Sequence, residues 1–157
     1  MPSTVSGKRF ENFVQGVIQS KGFPVVHYRD FSGNAQLSNV LVTNFPYQCV
    51  FDFESETEFV LVKNNRRIRI ECKMQLTKGT KDTALHTAYY DAINMPEEEV
   101  LIIIDGNGVR PKILEWLQNA IDQKLHIPKN KKKTIKKVNI LEFSKWVEKD
   151  FPHLSTI

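Results

Sequence analysis

Apolar positions recur at helical spacing from Ser6 to Lys21, with Phe10, Phe13, Val14, Val17 and Ile18 as the repeating set and Gly22 as the stop. This predicts an opening amphipathic helix. The pattern then changes to extended runs. FPVVHY (23–28) reads as a strand, a polar Gly/Ser/Asn loop follows through Asn34, and SNVLVTNFPYQCVF (38–51) is a second extended region. Pro46 predicts irregular structure within it.

Two apolar runs meet at Asn64-Asn65 within SETEFVLVKNNRRIRIECKMQ (55–75) and predict a hairpin, because Asn tolerates the positive φ of a tight turn. TKGTKDTALHTAYYDAINM (77–95) has enough helical spacing to cross back over a sheet. EVLIIIDG (99–106) is apolar on both faces, as a buried central strand is, and Gly106 and Gly108 end it. Ile113, Leu114, Leu117, Ala120 and Ile121 predict another amphipathic helix. A basic loop covers Lys129 to Lys137, TIKKVNIL (134–141) is a short strand, and EFSKWVEKDF (142–151) is a last helix. The succession indicates an α/β fold, a central mixed β-sheet flanked by helices.

Composition narrows this picture. The chain has 157 residues, 41% hydrophobic and 25% charged, enough for a single domain spanning 1–157 with a real core. Cys49 and Cys72 are too few for a disulfide framework and too far apart for a metal knuckle, which suits a reducing, cytoplasmic setting. No apolar run reaches the roughly eighteen residues of a membrane span. MPSTVSGKRF lacks the apolar core of a secretory signal, so a soluble, complete chain is expected. A net charge of +4 makes an anionic partner plausible without identifying one.

Counting outward from Asn64-Asn65 pairs Lys63 with Arg66, Leu61 with Ile68, Phe59 with Ile70, and Glu58 with Glu71. Strand alternation then puts Phe59, Leu61, Ile68, Ile70 and Cys72 on a core face, and Glu58, Glu71, Lys73 and Gln75 on a polar one. Opposed carboxylates with Cβ atoms about 5 Å apart destabilise a sheet unless a cation compensates. Lys73, two residues beyond Glu71, is such a cation. The alternative is an ordinary solvated strand face.

A carboxylate on one strand, a hairpin, then E-x-K on the next, after a helix carrying Glu11, resembles the PD-(D/E)xK nuclease superfamily, the restriction-endonuclease-like fold with its αβββαβ core. RIECKMQ gives the E-x-K-x-Q variant, and the helix after it, the strand EVLIIIDGNG and the ILEWL helix extend the likeness from Gly7 to Trp146. The resemblance implies that Glu58 and Glu71 bind a divalent metal, Mg²⁺ with Mn²⁺ as substitute, and that the Cys72 carbonyl is a further ligand. It implies that Lys73 positions or deprotonates the attacking water, that Glu11 joins from behind, and that Gln75 orients the site. Three positions depart from the family pattern: Glu58 stands where many relatives have Asp, no Pro precedes it, and Ala84 and His86 stand where relatives often carry Lys.

The resemblance thus implies a metal-dependent DNA endonuclease, of type II restriction kind. Base reading would come from loops such as Phe31 to Asn39, and cutting both strands would need a homodimer. A repair or recombination nuclease resembling a Holliday-junction resolvase is the alternative, and an inactive DNA-binding module is the rival from another class. The histidines His27, His86, His126 and His153 have no i, i+4 pair, which argues against zinc. His86, Tyr89, Tyr90, Trp116 and Trp146 are expected as packing residues. Asp105-Gly106-Asn107-Gly108 suits a turn, not a nucleotide-binding loop. KNKKKTIKK (129–137), with six lysines, is either a solvated loop or a track along DNA phosphates.

Overall fold

The computed structural model describes residues 5–31, 38–74, 82–106 and 108–152. Helix α1 (Val5–Gln19) ends where Gly22 takes φ 98°. Strand β1 (Val25–His27) leads into a one-turn helix, α2 (Tyr28–Phe31), where the sequence pattern suggested the strand's last residue and then loop. Then come β2 (Val40–Gln48), β3 (Glu54–Lys63), β4 (Arg66–Met74), α3 (Asp82–Asn94), β5 (Glu99–Asp105), α4 (Pro111–Gln123), β6 (Thr134–Val138) and α5 (Ile140–Asp150). The last strand is shorter than its apolar pattern. Asn139 caps α5 in a capping box with Glu142, which draws Ile140 and Leu141 into the helix.

The six strands lie in sequence order in one sheet. β1 is parallel to β2, the β2–β3–β4 meander is antiparallel, and β5 and β6 add in parallel beyond β4. The sheet is therefore mixed, as expected. Both its faces are covered. Phe10, Val14 and Ile18 of α1 and Phe143 and Val147 of α5 pack on Leu41, Phe59, Leu61, Ile68, Ile70 and Ile103. On the other face Leu85, Ala88, Tyr89 and Ala92 of α3 and Leu117 and Ala120 of α4 pack on Val100, Ile102 and Ile104. Phe31 joins Val40, Val42, Phe45, Val60 and Val62 beside them. Burial of this apolar surface, at about 25 cal/mol per Å², supplies the main drive for the three-layer arrangement.

Pro46 does not break β2. It pairs with Glu56, and β1 accompanies β2 only from Leu41 to Thr43, so among the described residues no neighbouring strand asks for the missing N–H. The irregularity lies two residues earlier, at Asn44, with φ 55°. Val42 and Phe45 belong to the same cluster although strict alternation would put them on opposite faces. β3 slips at the same level. Val60 faces that cluster, yet so does Thr57, whose hydroxyl accepts from Arg69.

A candidate active site at the splayed end of the hairpin

Asn64 takes φ 55° in the hairpin turn, and the pairs Lys63↔Arg66, Leu61↔Ile68 and Phe59↔Ile70 form as counted. The ladder then stops, one pair short of Glu58 and Glu71. Instead, the Cys72 N–H donates to Glu58 Oε2 at 3.1 Å. A strand N–H points along the sheet plane, so the Glu58 carboxylate lies in the gap between β3 and β4 rather than on the polar face expected for it. The cause is the double slip at Asn44 and Glu58, which strict alternation does not foresee.

Glu71 and Lys73 stand opposite Ile102 and Ile104 and so face α3. That face is not solvated. Glu71 is 5% exposed, and its Oε1 receives Lys73 Nζ at 3.0 Å. Its Oε2 is buried and has no partner among the described residues. An orphaned carboxylate oxygen costs about 1–3 kcal/mol or more unless something cationic completes it. Cys72, with Ile103, points the other way into the α1 core. Burial first, then the charges of Glu58, Glu11 and Glu71, hold its thiol well above the usual range. Glu11 on α1 thus sits within electrostatic reach of the gap. It lines, with Lys8, Asn12, Ser55, Thr57 and Glu58, a cleft of about 670 Å³.

Burial, and next the charge of Glu71, raise Glu58 to about 7, against partial relief from the Cys72 N–H and Lys73. Burial pulls Lys73 down, but Glu71, Glu58 and Asp91 outweigh it and leave the ammonium held above its ordinary range. The raised Glu58 couples the stability of the ion-free protein to pH. A carboxyl whose folded pKa exceeds its unfolded value stabilises the fold below the unfolded pKa, and that contribution is lost as pH rises through the folded one. Between pH 4.5 and about 7 wild type is therefore expected to lose up to about 3 kcal/mol relative to Glu58→Gln, measured by urea denaturation in chelator. A constant difference between the two proteins across that window would remove Glu58 as the titrating group.

Residues not singled out by pattern shape the site. Asp91 of α3 is buried and accepts from the Val50 N–H at 2.9 Å and the Tyr47 hydroxyl at 3.3 Å, tying the β2–β3 connection to the helix. Arg69 is 0% exposed and grips both oxygens of Glu97, at 2.6 and 3.0 Å. It also donates to Phe45 O, Pro46 O and Thr57 Oγ1, on both slipped strands. A signal for its burial was present: β5, apolar on both faces, requires cover on both sides of the sheet, so an Arg on the adjacent strand lies under that cover.

Gln75 lies outside the described residues, as do His153, Asn107, the start of the segment after β4 and most of the Phe31–Asn39 loop. Tyr89 is buried, and Trp116 and Trp146 are partly buried packing residues, as expected. His86 instead stands exposed against the rings of Tyr90 and Trp116. Among the described residues no three His, Cys, Asp or Glu side chains group as a metal cage. The basic run is only partly a free charge run. Lys131 Nζ donates to Ile93 O and Lys133 Nζ to Met95 O and Glu97 O. Burial, then Lys131, draws Lys133 down to about 8. Thr134 pairs with Glu99 at the start of β5, whereas Lys73 pairs with Ile104 near its end. The lysines before β6 therefore enter the sheet at the end remote from Glu71, which removes Lys131 and Lys133 from a phosphate track beside the site.

No curated protein and no solved structure matches the chain significantly. Among the described residues no helix is long and apolar enough to cross a membrane. The family profile described as PD-(D/E)XK nuclease superfamily domain matches residues 3–151, from α1 through α5. With the mixed sheet and the αβββαβ succession of α1, β2, β3, β4, α3 and β5, that match assigns a nuclease domain: the chain belongs to the PD-(D/E)XK nuclease superfamily.

Proposed function

We propose that this chain is a Mg²⁺-dependent DNA endonuclease of restriction-like type, one domain over 1–157 acting in the cytoplasm, and a homodimer when both strands are cut. The observation that carries the reading is Glu71, a buried carboxylate with one oxygen on Lys73 and the other unpartnered among the described residues, beside Glu58. Glu58, Glu71 and the Cys72 carbonyl would hold the ion. Two carboxylates and a carbonyl are hard oxygen donors, and Mg²⁺ characteristically takes one or two protein carboxylates with the remainder from water and substrate. When bound, the ion would neutralise charge on phosphate oxygens and acidify a water.

The chain's own groups do the rest. Lys73, held as an ammonium by Glu71 and Glu58, orients the attacking water and stabilises the negative charge that develops on it, a role that needs a proton donor rather than a base. Glu11 adds negative potential from α1, and Gln75 orients the site. One water oxygen–phosphorus bond forms, the bond to the leaving oxygen breaks in line, the water gives up a proton to solvent, and the leaving oxygen takes one up from solvent. The intact Glu58, Glu71 and Lys73 speak against an inactive DNA-binding module. A repair or recombination nuclease gains support from two exposed aromatic rings, Phe51 and Phe53, in the turn that leads into the Glu54 to Glu58 wall of the cleft.

Supercoiled plasmid is the direct test. Mg²⁺ or Mn²⁺ is expected to support cutting, and Ca²⁺, with longer and looser coordination, binding with little turnover. Robust cleavage in chelator refutes metal dependence, and discrete bands, nicks or general degradation separate the subtypes.

A further inference from the structure

Phe51 and Phe53, at the tip of the β2–β3 connection, are 69% and 57% exposed. Single exposed apolar residues are ordinary. These two are not single: their rings stack on each other, 13° from parallel with centroids 6.2 Å apart. The turn beneath them is built to hold them out. Asp52 between them takes φ 64°, its N–H donates to Cys49 O, and the Cys49 N–H donates to Phe53 O, both at 3.0 Å. Gln48 Nε2 reaches Asp52 Oδ1 at 3.0 Å, Cys49 is buried, and Asp91 holds the Val50 N–H. The rings ride on a fixed mount.

Their place in the fold connects them to the cleft. β3 runs antiparallel to β4, so the tip preceding Glu54 projects past the end of β4 that carries Glu71 and Lys73. Glu54, Ser55, Glu56, Thr57 and Glu58, directly after the tip, line the cleft wall. Asp52, Glu54 and Glu56 beside them are exposed carboxylates, so the tip itself offers aromatic faces and no cation for a phosphate. An aromatic face framed by carboxylates suits the uncharged face of a base, and an intact duplex keeps those faces stacked on each other. Two rings also fall far short of the roughly 800 Å² per partner of a stable protein interface.

We propose that Phe51 and Phe53 form a stacking platform for an unstacked nucleobase of the DNA strand in the cleft, so that the favoured substrate carries an unpaired or extruded base. This rests on the nuclease reading above and narrows its substrate class. The platform works without reading sequence, because every base presents a π face.

The experiment compares binding, in Ca²⁺, of a paired duplex and the same duplex with 2-aminopurine in an unpaired gap. The proteins are wild type, Phe51→Ala/Phe53→Ala and Phe51→Tyr/Phe53→Tyr. Wild type is expected to favour the gapped duplex on the order of tenfold to a hundredfold and to quench the fluorophore. The alanine pair loses both preference and quenching, and the tyrosine pair keeps them. An alanine pair that retains both overturns the platform, as does a wild-type dimer, seen by light scattering, that the alanine pair dissolves. A wild type that cuts plasmid while showing no gap preference overturns this inference alone. One that neither binds nor cuts any DNA overturns the nuclease reading with it.

Discussion

Lys73→Ala and Glu71→Gln are each expected to lower Mg²⁺-supported cleavage by about three orders of magnitude, within the 10²–10⁴ typical of losing a positioned proton-handling group. The two variants are expected to fail for different reasons. Glu71→Gln keeps the buried shape at a site 5% exposed, where alanine would leave a hole under α3. It halves the carboxylate set and so weakens Mg²⁺ binding, read by calorimetry. Lys73→Ala removes the cation from Glu71 Oε1 and leaves both carboxylate oxygens seeking one. Its Mg²⁺ affinity is therefore expected to hold or rise while turnover collapses. Wild-type rates in Lys73→Ala would end its role in the chemistry. A parallel loss of Mg²⁺ binding in both variants would make Lys73 a scaffold for Glu71 and nothing more.

The hairpin was legible in sequence because its turn and register follow from local rules. Asn64-Asn65 fixes the count, and the apolar residues Phe59, Leu61, Ile68 and Ile70 tolerate only one face. Those rules stop where the backbone leaves them. Nothing in TNFPYQ announces that Asn44 rather than Pro46 bends β2, since both residues are turn formers and only the extent of β1 frees Pro46 from needing an N–H. Because β3 slips in step with β2, Glu58 swings into the sheet plane, where pattern alone assigned it a face. Residue type and order thus suggest the candidate site, and tertiary contacts set its geometry.

The burial of the polar face was hidden in sequence for a related reason. Alternation identifies which residues share a side and says nothing about whether that side meets water. Arg69, Glu71 and Lys73 alternate with core residues as a solvated set would, yet α3, α4 and the Phe45 cluster cover them to differing degrees. EVLIIIDG carried the missing information one strand away. The lysines misled in the opposite direction. Charge density suggested a free surface, whereas Lys131 and Lys133 each close open carbonyls at the end of α3 and in the turn after it.

The second large effect belongs to Arg69. Arg69→Met and Glu97→Gln are each expected to destabilise the protein, the first by about 3–5 kcal/mol, as when one partner of a buried ion pair is removed. Replacing both members of such a pair by apolar residues is often neutral elsewhere. Here it is not expected to be, because Arg69 also satisfies Phe45 O, Pro46 O and Thr57 Oγ1, which a double substitution leaves open. Arg69→Met is thus expected to cost more than Glu97→Gln, and Arg69→Met/Glu97→Met to recover little. The same bonds tie β4 to β2 and β3 just beyond their slip, next to the gap that receives Glu58. Mg²⁺ binding by Arg69→Met, measured where the variant is still folded, is expected to fall although no ligand has changed. Urea unfolding within about 1 kcal/mol of wild type would show that the guanidinium is not the clasp of these strands. Unchanged Mg²⁺ affinity in a destabilised variant would separate fold from site, and leave the placement of Glu58 to the Cys72 N–H alone.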